Sequence, residues 1–168
     1  MNDYAFSLAR EDDIPEIVRL YRSLIGTPGC TWDEDYPSHA TAEADVACGA
    51  LHALRQGGEI IAVASVGNFD ELGHLPWKPK RACELARIGV ARHMQNKGIG
   101  TLMLRHVMAV ARAGGFDGIR MLVSPTNPAA LAMYEKNGFE RCGRVFMFEH
   151  DYDCYQLAFG ETPGASPS

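Results

Sequence analysis

The run Glu84-Leu85-Ala86-Arg87-Ile88-Gly89-Val90-Ala91-Arg92-His93-Met94-Gln95-Asn96-Lys97-Gly98-Ile99-Gly100-Thr101 decides how the rest of the chain is read. Residues 84–90 suit a strand, and Gly98 opens a long helix on which Ile99, Leu102, Met103, Val107, Val110 and Ala111 share one face. A strand feeding a glycine-bearing loop at a helix start brings backbone N–H groups and the positive end of the helix dipole together. The loop 95–100 therefore suits a phosphate or pyrophosphate. It is neither a Walker A loop, since Lys97 precedes the glycine, nor a three-glycine dinucleotide fingerprint. On its own, Gly98-Ile99-Gly100 is equally consistent with a helix that starts close to a sheet.

On either side of this stretch, apolar runs alternate with helical patterns and no long period repeats, which is an α/β arrangement. Residues 4–8 read as a strand. Asp12 or Asp13 is placed to cap a helix with Ile14, Ile17, Val18, Tyr21, Leu24 and Ile25 at helical spacing, closed by Gly26. The turn-rich segment 27–38 carries Trp32 and Tyr36 and reads as an ordered loop, followed by a short helix over 42–47. Strands over 51–55 and 59–66 are joined by Gln56-Gly57-Gly58, a hairpin signal. The loop 67–82 is long enough to be a binding element. A strand over 118–124 follows, then Asn127 as a helix cap with Pro128 behind it and Gly138 past the end. Strands over 139–145 and 148–159 finish the pattern, and the tail 160–168 reads as disordered.

A length of 168 residues predicts one domain over residues 1–159. The net charge of −5 offers nucleic acid and anionic lipid no general attraction, so no nucleic-acid and no membrane partner is expected. No stretch is long and apolar enough to span a bilayer, and the acidic start lacks a signal-peptide pattern, so the expected compartment is the cytoplasm. Five scattered cysteines with no C-x-x-C pair read as reduced, mostly packing thiols, with neither a disulfide framework nor a metal site.

Two stretches together carry a family resemblance. Gln95-Asn96-Lys97-Gly98-Ile99-Gly100, after Arg87-Ile88-Gly89-Val90, resembles the acyl-CoA loop Gln/Arg-x-x-Gly-x-Gly/Ala of the GNAT superfamily of N-acyltransferases. The stretch Asn127-Pro-Ala-Ala-Leu-Ala-Met-Tyr134-Glu-Lys-Asn-Gly138-Phe139 resembles the family's second signature, Asn-x-x-Ala-x-x-x-Tyr-x-x-x-Gly-Phe. The motif match covers 84–139. The resemblance implies a three-layer α/β fold whose central sheet, mixed but mostly antiparallel, has about six or seven strands flanked by about four helices.

The same resemblance implies acetyl-CoA as co-substrate, no metal, and direct transfer of an acetyl group to a primary amine. Main-chain groups of Ile88 and Val90 would pair with the pantetheine arm as an added strand. The amides of Gln95, Asn96, Lys97, Gly98, Ile99, Gly100 and Thr101 would hold the pyrophosphate. A bulge in the strand would leave the Val90 N–H free to polarise the thioester carbonyl. Asn127 is both a helix cap and a candidate cofactor contact. Tyr134 stands where many members keep a phenol near the leaving sulfur, and its bland alternative is a core aromatic.

The acceptor amine must lose a proton to a base or a water chain before it attacks. Glu84 is the candidate base, because strand alternation puts it on the face of Ile88 and Val90 with Arg87 facing away in a salt bridge or against a helix. His74 and His93 are fallback bases, His93 reading better as a loop residue near the cofactor. Acceptor contacts are expected from Trp32, Tyr36, His74 and Trp77, where aromatics beside Asp33, Glu34, Asp35, Asp70 and Glu71 suit a cationic amine. A small-molecule amine is the preferred acceptor. A protein N-terminus or lysine stays open, as does a non-catalytic acyl-CoA sensor. A homodimer through Phe146, Phe148, Tyr152 and Tyr155 is a further alternative to those residues filling the core.

Overall fold

A computed structural model describes residues 3–160. The alternating patterns form one seven-stranded sheet: β1 (Tyr4–Leu8), β2 (Leu51–Gln56), β3 (Glu59–Gly67), β4 (Ala82–Val90), β5 (Gly118–Val123), β6 (Glu140–Met147) and β7 (His150–Ala158). The strand order is β1-β2-β3-β4-β5-β7-β6. Every neighbouring pair is antiparallel except β4 and β5.

Four α-helices flank it: α1 (Ile14–Ser23), α2 (His39–Ala47), α3 (Ile99–Ala113) and α4 (Pro128–Lys136). One face packs α3 and α4 on Ala62, Ala64, Val66, Cys83 and Leu85, with Met103, Val107 and Tyr134 in the same cluster. The other face packs α1 and α2 on Leu51, Ala53, Ile60 and Val63. Further along that second face no helix among the described residues covers β5–β7. The loop after β3 does so instead, through Leu72 and Trp77 against Cys154, Leu122 and Val145.

Several boundaries differ from the sequence reading, each for a local reason. Helix α2 starts at His39 because Ser38 and Thr41 cap each other reciprocally, Ser38 Oγ accepting from the Thr41 amide at 3.2 Å. Asp13 does not cap α1: its carboxylate accepts from the Arg10 amide and from Arg55. Helix α1 ends at Ser23, and Gly26 sits in the turn beyond it. On α3 the buried stripe is Ile99, Met103, Leu104, Val107 and Ala111, while Leu102 is turned outward. Phe148 belongs to the β6–β7 turn, where it and Glu149 both have positive φ. Of the expected disordered tail, residues 161–168 lie outside the described residues. Among the cysteines, Cys83 and Cys154 are buried but Cys48 and Cys142 are exposed, so packing accounts for fewer of them than expected.

The irregularity that shapes the site lies in β4. Ser65 pairs with Ala86 and Val63 with Gly89, so two residues, Arg87 and Ile88, stand opposite the single Ala64. This is a β-bulge, and Arg87 takes a left-handed φ of 53° in it. One inserted residue reverses the parity of side chains beyond it. Glu84 and Ala86 therefore share a face with Gly89, and Val90 lies on the opposite one.

Candidate active site

Strands β4 and β5 pair only over Ala82–Glu84 with Gly118–Arg120. Past Glu84, β4 bonds to β3 alone and β5 bonds to β7. The sheet splits, and the second half of β4 turns one edge of its backbone into the opening. The Ala91 amide donates to Ile61 O at 2.8 Å on the β3 side. Because successive strand amides point to opposite sides, the Val90 N–H points into the split. The Val90 carbonyl accepts from Gln95 Nε2 at 3.1 Å, which ties the strand end to the following loop.

That loop makes a 3-10 turn over Arg92–Met94 and then two left-handed residues, Asn96 with φ 62° and Gly98 with φ 80°. Gly98 is the N-cap of α3 and brings no side chain to satisfy the first turn. The first amides of a helix have no intrahelical partner, so those of residues 99–101 are available donors beside the dipole end. Together the free strand edge and the uncapped helix start fit the two halves of an acyl-CoA: an extended amide-bearing arm and a pyrophosphate. A group of His, Cys, Asp and Glu able to hold a metal does not occur among the described residues.

Asn127 caps α4, its Oδ1 accepting from the Ala130 amide at 3.2 Å. The α1–α2 loop rests on it: a Cβ added to Gly29 would come within 2.3 Å of Asn127 Cβ. The same loop reaches β7, where Thr31 Oγ1 and Tyr152 Oη are 3.0 Å apart. Tyr134 is buried between Phe139 and Tyr155 at ring distances of 5.7 and 6.4 Å. Its hydroxyl takes no hydrogen bond from the described residues, and burial holds the phenol well above its ordinary value.

Glu84 is not where alternation put it. The bulge places it on the face away from Val90, 3% exposed, with Arg120 Nε and Nη2 donating to Oε2 at 3.0 and 2.7 Å. The amides of Glu71 and Leu72 donate to the same carboxylate. Taking up a proton would remove the negative charge that Arg120 and the two amides stabilise, so Glu84 is built as the anchor of the loop after β3. Trp77 is a second anchor: it is buried, and its indole N–H donates to Leu72 O at 2.7 Å, which withdraws it from the acceptor contacts expected of it. His74 is exposed, without a hydrogen bond or ion pair among the described residues. His93 is exposed beside Glu59 at 3.2 Å, in a cleft of about 270 Å³ shared with Glu16, Arg19 and Arg92. Trp77 lines a cavity of about 110 Å³ with Cys142 and Cys154. Neither hollow is lined by Val90 or Tyr134.

Trp32 packs on Tyr21 and Tyr36 bonds to Arg87, which makes the salt bridge expected of it, to Asp45 of α2. Arg87 Nε and Nη2 donate to Asp45 Oδ2 and Oδ1 at 2.7 and 2.9 Å, a buried two-pronged pair. Arg87 Nη1 donates to Tyr36 Oη at 2.9 Å, and Ser65 Oγ to Asp45 Oδ2 at 2.6 Å. Tyr21, read as a helix-face apolar residue, packs edge-on to Trp32 at 5.4 Å. Its available signals were a charged residue in mid-strand and an Asp inside an apolar helix pattern, neither of which specifies a partner. Of the proposed dimer patch, Phe146 and Phe148 are exposed, Tyr155 is in the core and Tyr152 is half-buried.

A family model described as Acetyltransferase (GNAT) family matches residues 16–139. An L-methionine sulfoximine/L-methionine sulfone acetyltransferase of Pseudomonas paraeruginosa is 24% identical over 139 residues, 79% of this chain and 78% of that protein. The N-alpha-acetyltransferase RimI of Mycobacterium tuberculosis is 35% identical over 89 residues, 53% of this chain and 51% of that protein. Among solved structures, a GNAT family acetyltransferase from Streptococcus agalactiae superposes with a TM-score of 0.78 at 19% identity, covering 94% of this chain and 96% of that one.

Proposed function

The chain belongs to the GNAT acetyltransferase family, and from that premise we propose that it moves an acetyl group from acetyl-CoA directly to a primary amine of a small molecule. The observation that carries the reading is the split between β4 and β5, with the Val90 N–H turned into it and an uncapped helix at its mouth. Acetyl-CoA supplies an activated thioester there. Main-chain groups of Ile88 and Val90 receive its amide-bearing arm, and the amides of residues 95–101 receive its pyrophosphate. The Val90 N–H polarises the carbonyl, which takes on negative charge as the amine lone pair attacks.

The carbon–sulfur bond then breaks and the electron pair leaves on sulfur. Tyr134 donates a hydrogen bond to that sulfur. A thiol has an ordinary value near 8.5, below that of a phenol that burial has raised, so donation without complete proton transfer is the chemistry assigned to Tyr134. With Glu84 engaged by Arg120, the amine's proton leaves through water in the open split. A small acceptor is favoured over a protein N-terminus or lysine because the α1–α2 loop bridges to Asn127 and Tyr152, which walls the acceptor side. The relative named for L-methionine sulfoximine and L-methionine sulfone supports the same choice. Residues 1–159 serve as one catalytic domain in this reading, placed in the cytoplasm.

Calorimetric titration with acetyl-CoA, CoA and desulfo-CoA, followed by thiol release over an amine panel, tests the proposal. Saturable binding with amine-dependent release of thiol is the expected result. Binding without release would make the protein a sensor, and no binding at millimolar ligand would overturn the assignment of the loop.

A further inference from the structure

We propose that Tyr21, Arg87 and Tyr36 form a carboxylate-recognition subsite, so that the amine to be acetylated is carried by a free amino-acid-like molecule; this rests on the transfer reading above. Tyr21 is 1% exposed, and its hydroxyl is the one buried side-chain polar atom without a hydrogen-bond partner among the described residues. Folded proteins rarely leave such an atom unpaired, so its partner is a group that enters the site. Its ring packs edge-on to Trp32 at 5.4 Å, and the tip of Trp32 lies 3.4 Å from where a Cβ on Gly89 would sit, so Tyr21 stands beside the bulged segment of β4 that carries Arg87.

The unused hydrogen-bonding capacity of that cluster is almost all of one kind. Arg87 has five N–H hydrogens. Three are used, two on Asp45 and one on Tyr36. One hydrogen therefore remains on each terminal nitrogen. Tyr36 Oη accepts from Arg87, so its own hydrogen is free. Asp45 already accepts from Ser65 Oγ and from Arg87, which uses most of its lone pairs. The carboxylate thus balances the guanidinium's charge and fixes its plane while its spare fork points elsewhere. Tyr21 is kept a donor, since burial and then Asp45 oppose its ionisation.

O–H and guanidinium N–H donors are the complement of a carboxylate, which offers lone pairs only. The backbone agrees, because the bulge holds Arg87 at a φ of 53°, where a glycine would fold with less strain. Tyr36, 46% exposed, opens the cluster to solvent, and Tyr21 is buried. The recognised group is therefore an anion, where the acidic loop at 33–35 had suggested a cationic subsite. A protein N-terminus, whose carboxyl is an amide, does not meet this requirement.

Initial rates of thiol release from acetyl-CoA decide the matter, measured for free amino acids and for their carboxamides with the wild type and Tyr21→Phe. The wild type should favour the carboxylates by at least about tenfold in kcat/KM, since an unmade hydrogen bond penalises the wrong acceptor. Tyr21→Phe keeps the ring and loses only the oxygen. It should reduce that preference about tenfold, chiefly through KM, without lowering the unfolding temperature. Tyr36→Phe, at an exposed position, should reduce it in the same direction and supplies the test if the core variant misfolds. Equal rates for carboxylate and carboxamide would overturn the inference and leave acetyl transfer standing. An unchanged preference in both variants would do the same. Bound acetyl-CoA with no transfer to any of these amines would overturn the transfer reading and the subsite with it.

Discussion

The two faces of the sheet meet at one split, yet they are made of different materials. On the side of α3 and α4 the core is apolar, and the parts facing the split are main chain: the Val90 N–H, two left-handed loop residues and the first amides of α3. On the opposite side two ion pairs sit almost out of water, Arg87 with Asp45 and Glu84 with Arg120. The backbone side suits a ligand part that is the same in every reaction, an amide-bearing arm ending in phosphates. The side-chain side carries directional charges and can discriminate among acceptors. Buried ion pairs contribute little net stability but penalise every arrangement that separates them, so they fix the loop after β3 and the α1–α2 loop in one geometry.

The sharpest way to break this comparison is Arg120→Ala, which leaves Glu84 buried without its cation. An uncompensated buried charge costs about 3–5 kcal/mol, and urea unfolding should show a loss of that size. Arg120→Met combined with Glu84→Gln should recover part of it, because no buried charge is then left without its partner. A loss below about 1 kcal/mol would mean that the pair behaves as a solvated surface contact, and the division between the two faces would lapse.

The backbone side was legible in the chain because its signals are local. Gly98 before an apolar helical stripe, Asn127-Pro128 before another, and Gly57-Gly58 between strands each specify a conformation by their own stereochemistry. The side-chain side was not, because a partner for Arg87 forty-two positions away in Asp45, or for Glu84 thirty-six away in Arg120, is set by topology. Strand alternation also failed at one point for one reason. A bulge was expected in β4, but the extra residue reverses the face of everything beyond it, and that moved Glu84 away from Val90. Trp77 shows the same limit: a large aromatic in a long loop reads equally as a binding residue or as the peg that holds the loop down.

The apolar side holds a buried histidine, which gives the second test. His52, 8% exposed between β2 and α3, is pushed down to about 4 by burial and then by His106, whose Nε2 lies 3.2 Å from its Nδ1. A histidine held below its ordinary value near 6.5 binds its proton more readily in the unfolded chain. Above pH 6.5 both states are neutral there and it has no effect. As pH falls from 6.5 towards 4, the unfolded state gains the proton first and stability declines, by roughly 2–3 kcal/mol over that window. Denaturant titrations at pH 7 and pH 4.5 should show the decline, and His52→Gln should flatten it. Equal slopes in the two proteins would place the acid sensitivity elsewhere.

Tyr134→Phe tests the hydrogen bond assigned to the leaving sulfur. Turnover should fall about tenfold to fiftyfold with acetyl-CoA affinity within about twofold, the signature of an interaction made late in the reaction. Stability should hold or rise slightly, because the hydroxyl removed has no partner among the described residues. Unchanged turnover would return Tyr134 to the core.

The smallest effect separates two glycines that the motif treats alike. Gly98 has a φ of 80°, and a Cβ added there would meet nothing within 4 Å. The cost of Gly98→Ala is then purely conformational, about 1–2 kcal/mol for a left-handed alanine. Gly100 has ordinary helical backbone, and a Cβ there would lie 3.1 Å from Met133 Sδ, the end of a flexible side chain that can shift. Helix propensity favours alanine over glycine by up to about 1 kcal/mol, so Gly100→Ala should leave stability level or slightly raised. If Gly98→Ala alone weakens CoA binding, as followed by calorimetry, the loop works through the turn that aims its amides. If both variants weaken it alike, the loop works through close approach of the ligand to the helix, and the backbone side of the split reads shape as well as charge.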